Sequence, residues 1–324
     1  MTETGPLFVS SGDLIADRRY KWALDQAARG DFAAAADILV QTVAVAPAFA
    51  TAWFALGAIR DRLGDRDGAV AAFAEARTAD PDDYHGARLQ LARLGPGAAA
   101  PAMTEAYVRR LFDQYAARYD TALTERLGYR GPALLREAVE QAALAAGQKL
   151  HFSAMLDLGC GTGLAGAAFR PVVDRLTGVD IAPAMIAVAE AKGIYDRIVT
   201  ADIAAFLAEA ADLGVRHDLV LAADVFVYVN DLPPIAAAVA RVLAPDGMFA
   251  FTVETHAGDG VKLLPTLRYA HGTPYIRRTL ADAGLAPVSV TDAAVRSEKG
   301  VPVDCLIVVA RPSTAPRTPA TADT

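Results

Sequence analysis

The stretch LDLGCGTGL, residues 156–164, decides the fold. An apolar run leads into Gly159, Gly161 and Gly163, and a helical pattern begins at Leu164. Strand, glycine turn and helix in that order make a loop whose bare backbone a ligand can approach closely. A phosphate-binding P-loop is excluded, because no Gly-Lys-Ser/Thr follows. The dinucleotide fingerprint G-x-G-x-x-G requires its third glycine at position 164, which is leucine here.

Outward from this loop the chain alternates. AMLDL (154–158), LTGVD (176–180), IVTAD (198–202), DLVLAA (218–223) and GMFAFTVE (247–254) are short apolar runs ending at or near acidic residues. Helical patterns at 164–170, 183–192, 203–213 and 231–243 separate them. Such alternation predicts an α/β, Rossmann-like fold with a mostly parallel sheet covered on both faces. A helix near 274–283, closed by Gly284, is followed by two long strands, 286–296 and 302–311, around the turn SEKG. They predict an antiparallel hairpin at the sheet edge and bring the expected total to seven strands. Ordinary dinucleotide domains do not end this way.

Charge narrows the ligand. Asp157 stands two residues before the first glycine, where a carboxylate would repel a pyrophosphate. S-adenosylmethionine carries a sulfonium and an ammonium and no phosphate, so the same carboxylate favours it. Asp180 ends the second strand, placed for two ribose hydroxyls, a role it would fill for either adenosyl ligand. Asp202 ends the third run, where it can accept from an adenine amine, with Ile203 as an apolar flank.

The N-terminal region carries a repeat of period 34. Gly30-Asp31 recurs as Gly64-Asp65, Ala35 as Ala69, Leu39 as Phe73 and Pro47 as Pro81. Trp53, Leu56, Gly57, Gly64, Ala69, Phe73, Ala76 and Pro81 fall at tetratricopeptide (TPR) spacing, small residues at the helix crossing and large ones filling the gap. The first copy has Arg19 and Trp22 where the pattern has Trp and Leu, and residues 84–95 read as a capping helix. The expected organisation is a TPR-like domain over 1–95, a Gly/Pro linker over 96–103, the α/β domain over 104–311 and a disordered Pro/Thr/Ala tail over 312–324.

With these pieces in order, residues 105–311 resemble a class I S-adenosylmethionine-dependent methyltransferase. LDLGCGTG resembles that family's glycine motif, GVDIAPAMIAVA its ribose motif, TADI its adenine motif and LAPDGMFAFTVE its fifth-strand motif. Adding LFDQYAARYD (111–120), RYAHG (268–272) and VRSEKGVP (295–302), the whole chain is similar to bacterial methyltransferases with N-terminal TPR repeats. The resemblance implies that Asp157, Gly159, Gly161 and Gly163 serve the methionine end of the cofactor and Asp180 and Ile181 the ribose. It implies Met185 for the adenine face, Asp202 and Ile203 for the adenine edge, and the carbonyls around Ala222 and Ala223 for the ammonium. Phe112, Tyr115 and Tyr119 recur on one helix face. They are either core residues or, for Tyr115 and Tyr119, a cover over the methionine moiety.

Methyl transfer needs alignment, exclusion of water and sometimes removal of a proton. The stretch AADVFVYVND lacks the Asn/Asp-Pro-Pro-Tyr/Phe motif that clamps amides and exocyclic amines. Base candidates are Glu254 and His256 at the end of strand five and His271 in RYAHG, with Arg268 as a carboxylate partner. Each histidine has a bland alternative, a solvated or structural role, and Asp224 reads as a helix cap or else as a base or substrate contact. His85, His151 and His217 read as incidental, Cys160 as a packing residue, and no cluster has metal-ligand spacing.

Composition bounds the rest. A net charge of −7 on 324 residues argues against nucleic acid as partner. No apolar run reaches membrane-spanning length, the N-terminus lacks signal-peptide order, and two cysteines fit a reducing cytoplasm. The leading reading is methyl transfer to a small-molecule acceptor, with the TPR region docking a protein or mediating oligomerisation. The alternatives are a protein- or carrier-directed methyltransferase whose TPR region binds the substrate protein, and a cofactor-binding regulator without chemistry.

Overall fold

The computed structural model describes residues 8–95 and 103–313. The chain divides into two compact units. One runs to Arg110 and includes Leu263–Leu267; the other comprises Leu111–Lys262 and the chain from Arg268 onward. The linker expected at 96–103, save Met103, and the tail expected from 312, save its first two residues, lie outside the described residues.

The first unit holds helices α1 (Leu14–Ala28), α2 (Phe32–Val45), α3 (Ala50–Arg62), α4 (Arg66–Ala79) and α5 (Ala87–Leu94). The repeated Gly-Asp pairs explain its turns. Gly30 and Gly64 take left-handed backbone, and the next residue caps the following helix. Asp31 accepts from the Ala34 N–H and Asp65 from the Gly68 N–H, both at 3.0 Å. A Cβ on Gly57 would lie 2.8 Å from the Phe73 ring, so α3 and α4 cross where only glycine fits.

The second unit is a sheet with helices on both faces. Its strands are β1 (Phe152–Leu158), β2 (Val173–Asp180), β3 (Arg197–Thr200), β4 (His217–Ala222), β5 (Leu243–His256), β6 (Val261–Leu263), β7 (Tyr269–Gly272), β8 (Leu285–Glu298) and β9 (Val301–Pro312). The order is β3-β2-β1-β4-β5-β7-β6, with β9 pairing β5 and β8. β1 to β5 are parallel; β9 runs antiparallel to β5 and to β8. The edge hairpin closes through Lys299 and Gly300, both left-handed, between paired Glu298 and Val301. The described sheet thus has nine strands and not seven. β6 and β7 are three and four residues long, too short to leave an alternating apolar pattern.

Helix α6 (Glu105–Tyr115) precedes short helical turns over 116–126. There follow α7 (Gly131–Ala145), α8 (Leu164–Phe169), α9 (Pro183–Ala191), α10 (Ile203–Asp212), α11 (Pro233–Val242) and α12 (Thr273–Asp282). Strand alternation sorts two cores. Val220, Phe249 and Phe251 pack with residues of α10, α11 and α12, whereas Leu219, Leu221, Met248 and Ala250 pack with α7 and α8. No helix among the described residues is long and apolar enough to cross a membrane.

Candidate active site

Crossovers of parallel strands gather the loops after β1, β2 and β4 at one end of the sheet, where α/β folds bind ligands. After β1, Gly159, Gly161 and Gly163 all take positive φ. Backbone bonds stitch the loop to β2. The Cys160 N–H donates to the Val179 carbonyl at 2.9 Å, and the Gly161 N–H to Asp180 Oδ2 at 2.8 Å. Asp180 Oδ1 accepts from the Ala182 N–H at 2.8 Å. A Cβ on Gly159 would meet Val225 at 2.6 Å, so this glycine is required by packing. A Cβ on Gly161 would find nothing nearer than Tyr119, at 4.0 Å, so this one leaves open backbone. Burial raises the proton affinity of Asp180, opposed by the amides that it accepts from.

Asp157 lies beneath the loop. It is 1% exposed, and its Oδ2 accepts from the Tyr195 hydroxyl at 2.7 Å, while Oδ1 has no partner. Burial lifts its pKa to about 7, against the Tyr195 bond that lowers it. The Tyr195 bond engages one carboxylate oxygen and leaves the other without a partner. Tyr195 itself fills a hollow left by three glycines: a Cβ on Gly163 or Gly178 would lie 3.1 or 2.8 Å from its ring, and one on Gly166 would strike its hydroxyl. No spacing in the sequence linked Tyr195, 38 residues downstream, to Asp157.

The segment LFDQYAARYD contributes more through its aspartates than its aromatics. Asp113 accepts from the Ala184 N–H at 2.9 Å, in the first turn of α9. Asp120 bonds the Thr162 hydroxyl of the glycine loop and pairs with Lys192 at 2.6 Å. The helix ends at Tyr115 and a tighter turn over 116–118 intervenes, so no helical spacing linked the two aspartates. Phe112 and Tyr119 pack with Ala116, Ala182 and Met185, and Tyr119 meets Tyr115 edge-on at 5.7 Å. Tyr119 thereby serves both the packing role and a place over Gly161.

The remaining candidates divide. Ile181 follows Asp180 at the strand end, and Met185 and Ala222 are fully buried. β3 stops at Thr200, so Asp202 does not end a strand. It caps α10, accepting from the Ala205 N–H at 2.9 Å, and Ile203 packs against the neighbouring core.

Beyond β4 and β5 lies a buried ion network. Asp224 has a left-handed backbone (φ 61°), its N–H donates to Thr252 Oγ1 at 2.8 Å, and its carboxylate pairs with Arg296. Arg296 also pairs with Glu254 and Glu298, and Arg268 bonds the same two glutamates. Glu254 is 1% exposed and held by two guanidinium groups, so the structure does not present it as a base. Three carboxylates face two guanidiniums, leaving one anion in excess. Arg268 does find carboxylate partners, but inside the protein.

His271 is fully buried, its Nε2 on the Val229 carbonyl at 2.9 Å, and burial lowers its pKa to about 4. It stacks at 5.8 Å on Tyr275, and its Nδ1 is buried without a partner. His256 bonds the Gly258 N–H and the Gly260 carbonyl of its own turn. It lines an open cavity of about 510 Å³ with Asp292, Asp304 and Cys305, and no bond joins it to the Asp224 network. His85, read as incidental, is buried between Asp80 and Thr51.

Residues 156–251 match a methyltransferase domain. The match begins in β1 and ends in β5, covering the glycine loop, Asp180 and Asp224. Solved structures of similar fold include the magnesium protoporphyrin IX methyltransferase of Synechocystis PCC 6803 with bound S-adenosylhomocysteine. It is 19% identical over 64% of this chain and 98% of that one, with a TM-score of 0.48. The 1,6-didemethyltoxoflavin-N1-methyltransferase of Burkholderia thailandensis is 22% identical over 66% and 91%, with a TM-score of 0.48. An S-adenosylmethionine-dependent methyltransferase of Clostridium acetobutylicum ATCC 824 is 17% identical over 63% and 99%, with a TM-score of 0.47. No curated protein matches the chain.

Proposed function

We propose that the chain transfers the methyl group of S-adenosylmethionine to a small-molecule acceptor in the cytoplasm, with its N-terminal helices forming TPR-like repeats that dock a partner or a second copy. The observation that carries the cofactor reading is the pairing of Asp180 with open backbone at Gly161. The carboxylate stands at the end of β2 beside a loop that has no phosphate-binding lysine. The three carboxylates of the Asp224 network outnumber the two guanidiniums that hold them, which suits a cation and disfavours a pyrophosphate.

The cofactor supplies an electrophilic methyl on a sulfonium; the acceptor gains the carbon bond as the sulfur–carbon bond breaks, and any acceptor proton must leave. In this reading Asp180 takes the ribose hydroxyls, and Asp120 and Asp113 hold the loop and the α9 entry in register. Tyr119 and Phe112 exclude water from above Gly161. The Arg296-held Asp224 presents its carboxylate where an acceptor would lie. It is the group best placed to orient an acceptor or receive its proton, ahead of Glu254, His256 and His271. The burial of Glu254, Arg268 and Arg296 at this end of β4 and β5 favours an acceptor of metabolite size over a polymer.

The test is incubation with methyl-labelled S-adenosylmethionine and a desalted lysate, with and without its small-metabolite fraction. Label in small molecules that requires the metabolite fraction supports the reading. Label on macromolecules alone overturns the acceptor class.

A further inference from the structure

Residues 8–13, ahead of α1, pack back on the helical unit. Gly12, with positive φ, and Asp17 turn the chain back: Asp17 accepts from the Ser11 N–H at 2.9 Å and from the hydroxyls of Ser11 and Ser10. The turn carries Phe8 and Val9 across α1 to the start of α3. Phe8 packs at 5.5 Å from Tyr20 of α1 and edge-on at 6.3 Å from Phe49, with the Lys21 ammonium 5.7 Å from its centroid. Val9 is held by its main chain alone. Its N–H donates to Thr51 Oγ1, and that hydroxyl bonds back to its carbonyl, both at 3.0 Å across 42 residues.

In extended backbone the N–H and C=O of one residue point the same way, so a single hydroxyl can straddle both as a neighbouring strand would. Thr51 is 1% exposed, and its hydroxyl also meets His85 Nε2 at 3.0 Å. Asp80 fixes the His85 ring through Nδ1 at 2.8 Å. This is a built polar site, an Asp80–His85–Thr51 chain ending on a peptide backbone. Residues 8–10 remain exposed on their outer side. A side chain is read only at Phe8; the next residue is read by its backbone.

We propose that this face of the helical unit is a peptide site, and that residues 8–10 occupy it as an intramolecular stand-in for an extended peptide. The peptide it fits carries an aromatic residue in the Tyr20–Phe49 hollow, followed by a residue whose backbone Thr51 grips. The proposal deepens the docking role given to the N-terminal helices and is independent of methyl transfer. Tethering gives the internal segment an effective concentration on the order of millimolar, so an external peptide competes only when the segment is weakened.

The test uses the full-length chain and a fluorescein-labelled peptide FVSSGD in an anisotropy titration. Val9→Pro removes the donated N–H, and Phe8→Ala empties the hollow. The double variant is expected to bind the peptide at least tenfold more tightly than the unaltered chain. Adding Thr51→Val should cost about tenfold again, and Thr51→Ser should restore binding. Circular dichroism checks folding, and Phe8→Ala alone serves in the same titration if the double variant unfolds. A folded variant that binds no better than the unaltered chain overturns the proposal, as does binding indifferent to Thr51→Val. Absence of labelled-methyl transfer by the unaltered chain, with peptide binding by the variant intact, would fault the enzyme reading alone.

Discussion

Replacing Tyr195 with Phe keeps the ring that Gly163, Gly166 and Gly178 accommodate and deletes one donor, the hydroxyl on Asp157. The other Asp157 oxygen has no partner, so the carboxyl loses its one side-chain donor. The cost depends on whether that carboxyl is charged. Against the neutral acid the lost bond is worth about 1 kcal/mol, against the carboxylate about 2–3 kcal/mol. Asp157 has a folded pKa of about 7, above its unfolded value, because burial outweighs the Tyr195 bond. Its contribution to stability is therefore full below the unfolded pKa and is lost as pH rises through about 7. Tyr195→Phe should push the folded pKa higher by roughly one unit, equivalent to about 1.4 kcal/mol. The destabilisation should thus be about 1 kcal/mol at pH 5.5 and more than 2 kcal/mol at pH 8.5. Both tryptophans, Trp22 and Trp53, lie in the helical unit, so their fluorescence does not report on Tyr195. Hydrogen exchange of β1 and β2 amides across a urea series does. Other titrating groups are common to both proteins and cancel in the difference. A penalty equal at the two pH values would refute the assignment of Tyr195 as the support of a titrating Asp157.

Asp180→Asn should weaken S-adenosylhomocysteine binding by roughly 100-fold in calorimetry, by loss of charge-assisted bonds, while the far-ultraviolet spectrum is retained; unchanged affinity would remove the ribose role. Arg296→Met leaves Asp224 without its ion pair and the 1%-exposed Glu254 with Arg268 alone, and should destabilise the α/β unit by about 3–5 kcal/mol, read from β5 amide exchange. Adding Glu254→Gln should recover part of that loss, and no recovery would argue against a charge origin. Gly57→Ala drives a methyl to within 2.8 Å of Phe73 and should cost about 1–3 kcal/mol in the helical unit, visible in tryptophan fluorescence. His271→Gln, if His271 is only structural, should leave the pH profile of methyl transfer unshifted while lowering the melting temperature.

Much of the fold is legible because parallel strands buried on both faces must be apolar throughout, and a glycine loop between strand and helix has few conformations. Strand, helix and hairpin positions within the α/β unit follow from such local patterns, as do the Gly-Asp turns of the helical unit. The two short strands left no pattern, and Asp202 next to IVTA reads like a strand end although its side chain closes a helix. Proximity to the end of strand five made Glu254, His256 and His271 look alike. Only packing separates them: two guanidiniums hold the first, its own turn engages the second, and burial keeps the third neutral. Asp113, Asp120, Tyr195 and Arg296 came into view only with the tertiary structure, as did the Thr51 grip on Val9. Apart from Glu298, two residues from Arg296, their partners lie 38 to 72 residues away in sequence. Periodicity records which face of an element is buried. Which polar side chains then meet is settled by how the elements close on one another, because a buried charge or hydroxyl must find whatever partner the fold brings within 3 Å.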